Sequence, residues 1–159
     1  MQFSEITNEP ATDKEFLIIA NKLKKIYKLK NIDETALTAY QCTKNIINKK
    51  IKGSIVECGT YRGQKITIFL ETLKILGVNN RDIYIVDTFK GMTEPGQNDF
   101  QMISNKRMTK GDMFASLETV KKNIYKTKYP RKRMHFIKMD VRKKTLKNFI
   151  PGKIALLRL

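Results

Sequence analysis

The 159-residue sequence has only two cysteines, Cys42 and Cys58, which is too few for a disulfide framework. Their spacing is not that of a metal site, so both read as reduced thiols of an intracellular protein. No apolar run approaches the ~20 residues needed to span a bilayer. Met1 to Ala11 lacks the basic-then-apolar pattern of a secretion signal, so the expectation is a soluble, cytoplasmic chain with no membrane partner. Acidic residues are scarce as well: 15 Asp and Glu stand against 32 Lys and Arg, for a net charge of +17. Such an excess suits nucleic acid or an anionic membrane. Here it is mostly Lys, scattered through helices and loops of a chain rich in Ile and Asn. The reading is therefore a solvated basic surface, with nucleic acid disfavoured as a partner. Internal repeats and low-complexity tracts are also absent.

The length allows one domain with a real core. Thr12 and Glu15 form a capping-box pair ahead of Phe16, Ile19, Ala20, Leu23 and Tyr27, predicting a helix that ends near Lys30. Asn31 and Glu34 repeat the signal before Ala36, Tyr40, Thr43 and Ile47. Apolar strands follow in the run after Gly53 that ends in Glu57 and Gly59, and at Ile83–Val86, Met134–Met139 and Lys153–Leu159. Between them lie a helix through Ile66 and Leu73 with Gly77 at its C-cap, a helix from Met113 to Tyr125, and a short helix from Thr145 to Phe149. The polar stretch from Thr88 to Asp112 exceeds what a connection requires and suggests a lid or a substrate-facing segment. The alternation predicts an α/β protein: a Rossmann-like parallel sheet with helices on both faces, preceded by two helices. Residues 1–50 are read as an N-terminal helical segment and 51–159 as the start of a cofactor-binding domain.

The turn after the first strand runs Glu57-Cys58-Gly59-Thr60-Tyr61-Arg62-Gly63. It lacks the G-x-G-x-x-G of a dinucleotide site, because Glu57 and Arg62 stand where two glycines belong. Acid-x-Gly-x-x-x-Gly suits a ligand without a pyrophosphate, and Glu57 could meet a cationic group directly or through water. Asp87, at the end of the second strand, supplies the carboxylate that ribose hydroxyls need. At these residues the chain resembles the Rossmann-like S-adenosylmethionine-dependent methyltransferases. With Arg81-Asp82-Ile83-Tyr84-Ile85-Val86-Asp87-Thr88-Phe89-Lys90-Gly91, Leu117-Glu118-Thr119-Val120, residues 135–146 and Ile154-Ala155-Leu156-Leu157-Arg158-Leu159, it is similar to one family, the macrocin O-methyltransferases.

The resemblance spans residues 45 to 159 and implies methylation of a hydroxyl on a sugar or glycosylated small molecule. It implies that Glu57, Gly59, Thr60, Tyr61, Arg62 and Gly63 hold the methionine end of S-adenosylmethionine. It places Asp87, with Thr88 beside it, on the ribose, and Asp140 and Val141 near the adenine. In that family the strand resembling Ile154–Leu159 leads into acidic residues that bind Mg2+. This chain stops at Leu159, so about four of seven strands are expected, no metal ligand and no catalytic residue can be named, and the chain reads as a truncated, inactive form. His135, at the start of the third strand, reads as structural. The edge Ile154–Leu159 would lie exposed and invite self-association. Two alternatives remain open: a nucleic-acid methyltransferase, and a non-catalytic binding remnant of the fold.

Overall fold

The computed structural model describes residues 13–97, 99–100, 106–143 and 145–159. Met1 to Ala11 and Thr12 lie outside this set, and so does the Thr12 half of the expected capping box. Helix α1 spans Lys14–Tyr27 and is capped by Asp13, whose carboxylate accepts from the Glu15 and Phe16 N–H groups. Helix α2, Glu34–Asn48, is capped by Asp33 rather than the expected Asn31. Both Asp caps also hold a lysine from another element, Lys44 on Asp13 and Lys65 on Asp33.

The four strands are β1 (Ser54–Cys58), β2 (Ile83–Asp87), β3 (Met134–Lys138) and β4 (Ile154–Arg158). All pair in parallel, in the order β3-β2-β1-β4. Every residue of β1 is buried, as a central parallel strand covered on both faces requires. Helix α3, Gln64–Ile75, follows β1 and packs on α1 and α2. Its end is sealed by the Val78 N–H on the Leu73 carbonyl and the Gly77 N–H on that of Lys74. Helix α4 covers only Leu117–Ile124, because Ser116 caps it. The expected helix from Met113 is thus shortened, and Met113 and Phe114 stand exposed before the cap. The expected helix at Thr145–Phe149 is a single 3-10 turn, Leu146–Asn148.

Strand alternation assigns the two faces different covers. Ile55, Ile83, Ile85 and Met134 face one large core built with all four α-helices. Val56, Cys58, Tyr84 and Val86 face a smaller cluster closed by Met139, Ile150 and the 3-10 turn. Residues 14–48 share the first core with the sheet, so the N-terminal helices are a layer of the same unit.

Candidate functional site

Parallel pairing puts the carboxyl ends of β1, β2 and β3 side by side, and a cavity of about 420 Å³ opens there. Gly59 and Tyr61 wall it from the turn after β1, Asp87 and Thr88 from β2, and Asp140 and Val141 from the turn after β3. The two glycines of the first turn have different tasks. Gly59 has φ 81, and a Cβ added there would meet no atom within 4 Å, so its absence opens room on the cavity side. Gly63 has φ 86, and its Cβ would lie 2.8 Å from Ile124 Cγ2, so its absence lets α4 close on the turn. Behind the turn, the buried Tyr27 hydroxyl donates to the Gly63 carbonyl at 2.7 Å, and Asn123 Nδ2 donates to that of Arg62 at 3.0 Å.

Asp87 ties the two turns together. Its Oδ2 accepts from the Thr60 N–H at 2.7 Å and the Tyr61 N–H at 3.3 Å, while Oδ1 accepts from the Phe89 N–H at 2.7 Å. A carboxylate has about four lone-pair sites, so acceptor capacity is left for hydroxyls in the cavity. Asp140 accepts from Arg142 Nε at 3.2 Å and Nη2 at 3.1 Å, and these bonds hold its carboxyl below the usual carboxylate range. Arg142 also donates to the Glu94 carbonyl and the Thr93 hydroxyl, pinning the long segment after β2 to the turn after β3.

That segment is cross-tied. The Met92 N–H donates to the Asp112 carbonyl at 2.7 Å and the Met108 N–H to that of Asp99 at 2.8 Å, while Phe100 and Arg107 form an antiparallel bridge. From it Met92, Thr93, Glu94, Asp99 and Met108 join the wall, as does Met113 just beyond it. A substrate-facing segment was expected at Thr88–Asp112, and these residues do face the cavity. The methionines were missed, though Met92, Met108 and Met113 crowding one polar region was a visible signal of an adaptable apolar surface. Arg142 was read only as a partner for Asp140.

Glu57, Thr60, Arg62 and Gly63 are not on the cavity wall. Glu57 points to the helical face of β1 and is 1% exposed. The sequence had it facing a cationic ligand, but in the structure its Oε1 accepts from Arg158 Nη1 of β4 at 3.0 Å. Oε2 is buried without a partner. Burial pushes the Glu57 carboxyl up to about 7, and Arg158 and Lys65 offset that only in part. His135 sits at the opposite end of the sheet, stacked on Tyr84 and bonded to Asp82 Oδ1 at 2.9 Å, remote from the cavity.

A family model described as Macrocin-O-methyltransferase (TylF) matches residues 32–159. Demethyldecarbamoylnovobiocin O-methyltransferase of Streptomyces niveus is 27% identical over 60 residues, a match that takes in 38% of this chain and 23% of that protein's length. Among solved structures, the O-methyltransferase NovP superposes with a TM-score of 0.69 at 16% identity, covering 91% of this chain and 72% of its own. The calicheamicin methyltransferase CalS11 superposes at 0.50 and 16% identity, over 82% and 60% of the two chains. At these identities the superpositions establish a shared Rossmann-like fold, of which this chain carries four parallel strands.

Proposed function

The chain belongs to the macrocin O-methyltransferase family, and from that premise we propose that it binds S-adenosylmethionine at the carboxyl edge and serves methyl transfer to a hydroxyl of a glycosylated small molecule. The observation that carries this reading is the opening at Gly59 beside Asp87, where missing side-chain volume and an acceptor carboxylate face the same cavity. Asp87 would take the ribose hydroxyls, Gly59 and Tyr61 the methionine end, and Thr88, Asp140 and Val141 the nucleoside side. Glu57, Thr60, Arg62 and Gly63 would act from behind by fixing the turn. The bound cofactor supplies an electrophilic methyl group on a sulfonium. The chain's own part is to bind and orient it and, through Met92, Met108 and Met113, to give an apolar acceptor a conforming wall.

Magnesium, which the family resemblance implies, finds no fit here. Among the described residues no three His, Cys, Asp or Glu are grouped to hold a metal ion, so no step is assigned to one. Cys42 and Cys58 are free thiols, which suits a reducing, cytoplasmic compartment. Among the described residues no helix is long and apolar enough to cross a membrane. The outer edge of β4 pairs with no described strand and Leu157 is 46% exposed, which supports association with a second copy. A sedimentation profile that stays monomeric at high concentration removes that part. Titration calorimetry with S-adenosylhomocysteine tests the whole. Saturable heat at one site per chain is expected, and no heat at millimolar ligand overturns the cofactor assignment.

A further inference from the structure

The lysines that look scattered in the sequence are gathered by the fold. Parallel strands require every chain entry into the sheet to lie on one edge, the edge opposite the cavity. The four segments that enter it, residues 49–53, 76–82, 125–133 and 151–153, carry three, one, five and one Lys or Arg respectively, and a single acid, Asp82. Asp82 is already engaged by Arg133 and His135. Arg81 is spent as well, donating to the Ile51 and Gly53 carbonyls.

The remaining eight cations are exposed. Lys49, Lys50 and Lys52 precede β1. Lys126, Lys128, Arg131 and Lys132 precede β3, and Lys153 precedes β4. Among the described residues no carboxylate lies within ion-pair distance of any of them. Helices α2, α3 and α4 end at this same edge. Each helix C-terminus amounts to about −0.5 charge, so all three together offset about −1.5, far short of eight cations. A merely solvated surface would carry such a concentration at a cost in self-repulsion.

We propose that this amino edge is a sequence-independent binding surface for the phosphodiester backbone of a single-stranded nucleic acid. A polar hollow of about 370 Å³ opens at this edge, where Lys52, Lys153 and Arg81 share the wall with Asp82, whose charge is taken by Arg133. Arg131 lies over the Tyr125 ring, 4.3 Å from its centroid, and a guanidinium beside an aromatic ring is a group on which an unpaired base can be seated, which favours a single strand over a duplex. An anionic membrane is the poorer fit, because the exposed apolar side chains at this edge, Ile51 with Ile75 and Ile154 beside the entry segments, come singly from separate elements and form no amphipathic helix face to insert. The surface lies across the sheet from the cavity, so the inference concerns anchoring or recruitment and not methylation of the nucleic acid.

The test is fluorescence anisotropy of a labelled 20-nucleotide single strand with the full chain, over a range of salt. The triple variant Lys52→Glu, Lys132→Glu, Lys153→Glu is compared with Lys28→Glu, Lys30→Glu, Lys90→Glu, which changes net charge equally at the other edge. Circular dichroism melts establish that both fold. The amino-edge triple is expected to lose more than tenfold in affinity, and its slope of log affinity against log salt should fall by about 2, three contacts at about 0.7 each. The other triple should change binding by less than threefold. Equal losses in both triples, no binding at 50 mM salt, stronger binding of duplex, or preferential capture by phosphatidylserine vesicles would each overturn the proposal.

Discussion

The two edges of this one sheet, built from the same four strands, solve opposite problems. At the carboxyl edge the carboxylates are held locally: Asp87 by turn N–H groups, Asp140 by Arg142, Glu94 by Lys110. At the amino edge eight exposed cations face a single, already paired acid. A site that must admit a ligand closely needs backbone held in place, and it gains that from short, directional bonds. A surface that attracts a long polyanion needs field and no fixed geometry, and it gains that from leaving charge uncompensated.

The largest effect that sharpens the contrast is expected at Asp87. Asp87→Ala leaves the Thr60, Tyr61 and Phe89 N–H groups without their acceptor and removes the ribose partner. Charged hydrogen bonds contribute about 1.5–3 kcal/mol each, so loss of two to the ligand lowers S-adenosylhomocysteine affinity by at least about 100-fold. Lys153→Ala should leave it unchanged. Calorimetry that finds the two variants alike breaks the comparison.

Next in size is a stability difference inside the turn. Gly63→Ala combines a left-handed backbone, costing about 1–2 kcal/mol, with overpacking against Ile124, costing about 1–3. Gly59→Ala incurs only the first cost, because its Cβ enters open space. Urea unfolding should place Gly63→Ala well below Gly59→Ala, whereas cofactor affinity should suffer at Gly59. A reversed order would show that the two glycines have been assigned each other's roles.

Glu57 provides a pH signature. Its folded pKa is raised to about 7 by burial, so between about pH 4.5 and 7 the folded state binds more protons than the unfolded one, and stability falls as pH rises through that window. Asp13, Asp33 and Asp82 have lowered values, where their hydrogen bonds outweigh burial, so their contribution is present above about pH 4 and lost only below it. Thermal melts of Glu57→Gln should therefore flatten the decline between pH 5 and 7.5 that the parent shows. Parallel curves would mean that Arg158 keeps Glu57 ionised throughout.

Much of the architecture was legible because it rests on local period: apolar runs entering an acid or a turn gave four strands close to where they lie, and their alternation with helices gave a parallel sheet. What failed was decided by partners distant in sequence. Asp13 and Asp33 win the caps with lysines from other elements. Arg158, 101 residues from Glu57, takes the place at which a ligand charge was expected. On the cavity wall, the places of Gly59, Asp87 and Asp140 follow from their positions at strand ends. The reach of Arg142 to Thr93 and Glu94 could not, since nothing in the sequence relates the two turns. The amino edge could not be seen as one surface for a similar reason. Four short segments, each ordinary alone, become one surface only when the strands align.

The smallest effect probes whether the edges act independently. A five-residue strand rises about 3.3 Å per residue, so the edges stand roughly 17 Å apart. At 0.15 M salt the Debye length is about 8 Å, and a charge two such lengths away is largely screened. Lys52→Glu should therefore shift S-adenosylhomocysteine affinity by less than about twofold at 0.15 M salt. At 0.01 M, where the screening length reaches about 30 Å, the same substitution should become visible. Calorimetry at the two salts reads the difference directly. A large shift at 0.15 M would mean that the edges are coupled through the sheet itself, because screened charge could not carry it.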